Sequence, residues 1–401
     1  MTNAPLKRPK GYLRFCSVAL LALFAQFNNC ALAAGNPSTS SPLTRLHDVV
    51  IYSDPTFHCA FPSVVVRPDG ELLCAFRRAP SRKYLYGAPH DTHTDPNSQL
   101  VLVHSRDNGE TWTTSPEMIF AHPLGGSQDP CMIQLHDGTI VCTSYGWAQL
   151  PAKQTTGTAD QPYAFLGGYV LRSRTGGKTW EGPFIPPDIG DNRPSSAKAK
   201  PTYNRGALAE GANGELRWAA VKDSSKAGVP LSVQLMTSAD QGETWKPRGV
   251  IASDAKVGFN ETSLVRTHKG DIVAFLRTEG LKGHAALARS MDGGRTFSPW
   301  QDLGFHGVPL QALRLRDDCI LLVYGYRQNP AGIRAKLLNA DASDAATAPE
   351  FIIRDDGGAW DLGYPWSVQL PDGKIFVAYY INIADGPRHI AGSFLEVPLT
   401  H

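Results

Sequence analysis

An octapeptide, Ser-Arg-Asp-Asn-Gly-Glu-Thr-Trp at Ser105 to Trp112, returns with variations as Ser173 to Trp180, Ser238 to Trp245 and Ser290 to Phe297, each time closing an apolar run. Its period of roughly 50 to 70 residues is too long for a helical solenoid and matches the four-stranded blade of a β-propeller. The residue types give the repeat a structural task. The Asp can bond the amides of a tight turn, the Gly supplies positive φ, the hydroxyls close the loop, and the terminal aromatic is buried between sheets. One copy departs from the pattern, with Thr175 standing where the Asp belongs.

A second, interleaved repeat counts the blades. The segments Phe61 to Arg78, Asp129 to Gly146, Arg205 to Asp223, Glu261 to Glu279, Pro309 to Arg327 and Tyr364 to Asn382 each read as two alternating β-rich runs around a polar turn. The turns are Asp69-Gly70, Asp137-Gly138, Asn213-Gly214, Lys269-Gly270, Asp317-Asp318 and Asp372-Gly373. These hairpins predict an all-β, six-bladed propeller over residues 46–401, two of whose blades carry no recognisable octapeptide. The 38 Gly and 30 Pro in 401 residues, without any strongly periodic helix, agree with many short strands and turns.

Net charge is only +2, with both signs interspersed, so no basic stripe argues for nucleic acid or an anionic membrane, and a glycan or small molecule is the expected partner. Lys7, Arg8, Lys10 and Arg14 precede the apolar stretch Phe15 to Phe27 and the small-x-small sequence Ala31-Leu32-Ala33. This predicts a signal peptide over residues 1–34, cleaved near Ala33 or Ala34, then a lead-in over 35–45 and a secreted or periplasmic protein. The apolar stretch is too short to span a bilayer. Cys59, Cys74, Cys131, Cys142 and Cys319 remain after cleavage, mostly in strand-like runs that favour buried thiols.

A propeller brings equivalent positions of every blade to one mouth of its central funnel. Counting back from each hairpin turn gives the ring Phe61, Asp129, Arg205, Glu261, Pro309 and Tyr364, and counting forward gives Arg77, Tyr145, Val221, Arg277, Gly325 and Tyr380. A phenol, carboxylates and several guanidinium groups thus converge on one opening. His58, Gln128, Trp147 and Trp366 are further candidates for lining it.

The octapeptides, the blade count, Phe259-Asn260-Glu261 leading to Arg277, and Gly363-Tyr364-Pro365 together resemble the sialidase (neuraminidase) superfamily, a group of Asp-box glycoside hydrolases, from about Leu46 onward. The resemblance implies that Tyr364 is the nucleophile, Glu261 its proton-accepting partner, and Arg277 one of three arginines gripping the substrate carboxylate. No cofactor or metal is implied. Sialic acid carries a carboxylate on its anomeric carbon, which repels an anionic nucleophile but not a neutral phenol, and this is the known exception to the two-carboxylate scheme of glycosidases. A phenol of ordinary pKa near 10 needs a base, which Glu261 supplies, while arginine binds carboxylates through a planar fork.

The resemblance also implies an acidic aspartate shortly before the strand leading to the first octapeptide, in His90-Asp91-Thr92-His93-Thr94-Asp95. Asp95 and Asp91 both fit. Sialidases generally open blade one with Arg-Ile-Pro, whereas this chain has Ala60-Phe61-Pro62. Arg77 and Arg205 are the expected replacements for that missing guanidinium. Arg327 is the expected third arginine, with Arg334 as the competing choice, and Asp129 shares Glu261's ring position, where it could act as acid or base or hold an arginine. The expected activity is release of terminal sialic acid with retention; another terminal sugar and a non-catalytic glycan-binding propeller are the alternatives.

Overall fold

A computed structural model of the chain describes residues 42–88, 91, 93–149, 163–189, 203, 205–206, 208–211, 213–223 and 228–397. The expected signal peptide lies outside them. The described residues form six antiparallel sheets. Blade one contains Phe57–Val66, Leu72–Pro80, Gln99–Ser105 and Glu117–Phe120; blade four contains Gly258–Arg266, Ile272–Glu279, His284–Ser290 and Gln301–His306. Blade six is composite. Its innermost strand Gly363–Gln369 and the following Ile375–Ile381 and His389–Glu396 are completed at the rim by Thr44–Tyr52, from the other end of the chain. The six-bladed propeller read from the hairpins is therefore the fold. In the described residues the only α-helix is the short α1, Arg82–Tyr86.

Because both faces of every sheet pack on neighbouring sheets, the core is a ring of six apolar layers, each shared by two blades. Between blades six and one, for example, Phe61, Phe76, Val101, Phe376, Tyr380 and Phe394 form one cluster. Burying side chains of this size contributes about 1.5–3 kcal/mol each. Cys59, Cys74, Cys131 and Cys142 are free thiols inside these layers, as the strand-like context suggested. Side-chain clamps fix adjacent inner strands: Met132 N–H donates to Ser63 Oγ at 3.2 Å and Ala312 N–H to Ser263 Oγ at 2.9 Å, while Ser367 N–H donates to Gln311 Oε1 at 3.0 Å.

The octapeptides perform the predicted structural task at the outer edge. In the third copy Ser238 Oγ donates to Asp240 at 2.8 Å, Thr244 gives its N–H at 2.9 Å and its hydroxyl at 2.5 Å to the same carboxylate, and Trp245 Nε1 donates to the Gly242 carbonyl at 3.0 Å. In the divergent copy, Thr175 Oγ1 takes the place of a carboxylate oxygen, accepting the Thr179 N–H at 2.9 Å and lying 2.8 Å from the Thr179 hydroxyl. One oxygen therefore keeps the loop closed without the charge.

Asp240→Ala strands a backbone N–H and a hydroxyl together, and should lower stability in denaturant unfolding by about 1–3 kcal/mol. Thr175→Asp should be neutral or stabilising, since its carboxylate would meet the same two donors of Thr179.

Candidate active site

Three innermost strands break register at the same place. The ladder skips between Ala60 and Ser63 in blade one, Phe259 and Thr262 in blade four, and Gly363 and Trp366 in blade six. Such bulges re-aim a side chain, and the residues they free are Phe61, Glu261 and Tyr364. Phe61 and Tyr364 adopt left-handed backbone, with φ of 59° and 48°, a conformation costing L-residues about 1–2 kcal/mol. Tyr364 is delivered by a close backbone crossing. A Cβ on Gly363 would stand 2.9 Å from the Gly325 Cα, so both positions need glycine.

The result is a buried proton-transfer pair. Tyr364 hydroxyl donates to Glu261 Oε1 at 2.6 Å, while Arg277 Nη1 pairs with Glu261 Oε2 and lies 3.3 Å from the phenol oxygen. Burial alone would raise the Glu261 carboxyl, but the Arg277 charge and the hydrogen bonds from Tyr364 and Arg277 outweigh it and hold the group below its usual value. Burial and the Glu261 charge push the Tyr364 phenol above its ordinary value. At neutral pH the site therefore holds a neutral phenol donating to an ionised carboxylate, an arrangement in which a proton can pass from the phenol to the carboxylate.

Two further guanidinium groups flank the phenol. Arg205 Nη2 donates to the carbonyls of Pro62 at 2.9 Å and Tyr364 at 3.1 Å, placing its cation 4.7 Å from the Tyr364 ring centroid. Arg327 donates to the Leu362 carbonyl at 3.2 Å and lies 5.5 Å from the same ring, close enough to Arg277 for each charge to act on the other. Arg327 thus stands with Arg277 beside the phenol. Arg334 instead donates to the carbonyls of Arg354, Ile333 and Pro330 within its own blade.

Other expectations need correction. Arg77 has 0% exposure and contacts His58 Nδ1 at 3.1 Å behind the Phe61 ring, so it cannot touch a substrate where it stands. Asp91 caps α1, accepting from Ser81 Oγ at 3.0 Å and Lys83 N–H at 3.0 Å. Asp95 is 1% exposed and bound by Arg82 Nε at 2.7 Å. Neither offers a free carboxyl to the funnel. Asp129 accepts from the Tyr145 hydroxyl at 2.9 Å, and burial, against the opposing charge of Arg205, pushes it up to about 6. Tyr145, Phe165, Trp147 and Tyr203 form an aromatic wall beside it.

One charged residue escaped the sequence reading. Asp361 accepts from Tyr380 Oη at 2.7 Å and from His93 Nδ1 at 3.1 Å, and pairs with Arg388 Nε at 3.3 Å. Burial would raise it, but the His58 imidazole 3.8 Å away, the His93 contact and the Arg388 charge hold it well below the carboxylate range. It precedes Gly363-Tyr364 in a segment with no strand periodicity, so only its place beside Tyr364 could have signalled it. Burial pushes His58 down to about 4, which leaves it neutral. Among the described residues no cluster of three His, Cys, Asp or Glu side chains could hold a metal ion.

Residues 164–377, more than half of the chain, match the BNR repeat-like domain. The chain belongs to this family, within the sialidase superfamily. It is 26% identical over 376 residues to a sialidase of Micromonospora viridifaciens, covering 86% of this chain and 53% of that protein, so it spans about half the length of this curated relative. A solved protein of unknown function from Dyadobacter fermentans is 51% identical, with a TM-score of 0.85 over 89% of this chain and 100% of that one. The α-L-arabinanase of Penicillium chrysogenum, solved with arabinobiose, shares the fold with a TM-score of 0.63 at 15% identity, covering 88% of this chain and 99% of that one.

The raised carboxyl of Asp129 makes a stability prediction with a definite sign. Its folded value exceeds its unfolded value, so its contribution is complete below the ordinary carboxylate value near 4 and is lost as pH rises through about 6. Asp129→Asn keeps an acceptor for Tyr145 without the charge. The Tm of the variant should therefore rise relative to wild type between pH 4 and pH 6.5 in paired thermal melts.

Proposed function

We propose that the protein is a retaining exo-glycosidase of sialidase type, acting outside the cytoplasm after export, that releases terminal sialic acid. The observation that carries this reading is the 2.6 Å contact between Tyr364 and Glu261, buttressed by Arg277. A glycan-binding surface gains nothing from a phenol poised to lose its proton to an ionised carboxylate. As the phenol oxygen forms a bond to the anomeric carbon, its proton passes to Glu261 and the aglycone leaves with the electron pair of the broken glycosidic bond. Water then attacks the same carbon and gives up a proton, which matches the one taken up by the aglycone oxygen, while the tyrosyl bond breaks and Glu261 returns its proton to the phenolate. Two displacements give net retention.

Arg277 and Arg327 suit a carboxylate on the anomeric carbon, with Arg205 adding positive charge behind the Tyr364 ring. A second reading rests on Phe61. Ala60-Phe61-Pro62 stands where sialidases carry Arg-Ile-Pro, so blade one brings the Phe61 ring and no guanidinium at Ala60, which favours a different terminal sugar; the arabinanase of this fold is one glycosidase that acts on another glycan.

A panel of α-sialosides and neutral terminal glycosides separates the two. Tyr364→Phe should reduce activity at least ~10³-fold on whichever sugar is released. Arg327→Ala should lower kcat/KM about 10- to 100-fold on a sialoside, the scale of one charged hydrogen bond, and hardly at all on a neutral sugar. Release of no sugar, or full activity of Tyr364→Phe, would defeat the enzymatic reading.

A further inference from the structure

Protonating the departing aglycone requires an acid, and both aspartates expected to serve are committed elsewhere, Asp91 to the α1 cap and Asp95 to Arg82. His93, between them in sequence, is placed differently. Its side chain is 42% exposed, its Nδ1 lies 3.1 Å from Asp361 Oδ1, and its ring meets the edge of Phe61 at a centroid distance of 5.0 Å. Phe61 in turn contacts the Tyr364 ring at 4.6 Å, so imidazole and nucleophile are neighbours across one aromatic ring. The position is fixed from two sides: Gln128 Nε2 donates to the His93 carbonyl at 2.9 Å, and Tyr380 holds Asp361 from below at 2.7 Å.

We propose that His93 is the acid and base of the glycosidase reaction and that Asp361 positions it. The inference rests on the reading of the site as a retaining glycosidase. With Nδ1–H given to Asp361, Nε2 of this partly exposed ring is the nitrogen left to meet a substrate. In the first displacement the glycosidic C–O bond breaks, its electron pair goes to the aglycone oxygen, and that oxygen takes the Nε2 proton of the imidazolium. In the second, neutral Nε2 takes a proton from the water whose oxygen attacks the anomeric carbon, which restores the imidazolium. The Asp361 carboxylate stabilises that cation, as in other carboxylate-oriented imidazoles. Around the pair stand Asp129, which feels the His93 charge, and, around Asp361, Arg388, His58, Tyr380, Arg77 and Arg327.

Leaving-group dependence tests this directly. A nitrophenyl aglycone departs without protonation, whereas an alkyl aglycone does not. For His93→Gln, kcat/KM should fall no more than ~10-fold on a nitrophenyl sialoside and ~10²- to 10³-fold on the matching alkyl sialoside, the range of general acid catalysis. Asp361→Asn should lower kcat on the alkyl sialoside far more than on the nitrophenyl one with KM unchanged, a split that a merely structural role would not produce. Equal losses on both substrates for His93→Gln, or the leaving-group-dependent loss appearing instead in Asp91→Asn, Asp95→Asn or Asp129→Asn, would overturn the assignment while leaving the glycosidase reading intact. A wild-type protein inactive on both sialosides and on the neutral panel would overturn both.

Discussion

Everything in this molecule depends on closure of the ring. Thr44–Tyr52 pairs with His389–Glu396, so the last blade is built from both ends of the propeller. No blade has a core of its own, since each apolar layer is shared by two sheets. The site inherits this dependence. Glu261 belongs to blade four, Tyr364 to blade six, and the Arg205 contacts join a residue of the third hairpin to backbone carbonyls of blades one and six. The 2.6 Å contact between phenol and carboxylate is thus a long-range consequence of six sheets meeting around one axis.

Within that frame the electrostatics are local and of one kind. Each buried acid near the funnel is matched by a cation or a donor, and the balance differs from site to site. Glu261 has Arg277 against it and stays ionised, whereas Asp129 has a phenol and a more distant guanidinium, and its proton is held more tightly. Two carboxyls at equivalent ring positions in different blades are in this way given different proton affinities by their neighbours.

The blade count and the meeting of Tyr364, Glu261 and Arg277 were legible because both are written in residues with fixed offsets. Asp-Gly turns announce hairpins, and a constant distance from each turn announces the ring, so Glu261, Arg277 and Tyr364 could be placed together before any coordinates existed. The loop after the second strand of blade one has no such ruler. Asp91 and Asp95 were chosen by residue type, and what each does is decided by Ser81, Lys83 and Arg82, contacts that spacing does not encode. Arg77 fails for another reason. Its register matches that of Arg277, but the ring of Phe61 covers its route to the funnel. Asp361 was missed because a carboxylate in an irregular turn resembles any other turn residue until its donors are seen.

The pairing of Phe61 with Arg77 also bears on how such a pocket changes over time. The Phe61 ring stands 5.8 Å from the buried Arg77 cation, while its other contacts are Tyr364, Tyr380 and His93. Ala60, where the arginine of Arg-Ile-Pro would stand, is fully buried and lies opposite Arg77 in the same ladder, so an arginine restored there would set two guanidinium groups against each other away from water, where like charges repel strongly. Positions 60 and 77 are a joint choice, and a guanidinium at the first requires a change at the second.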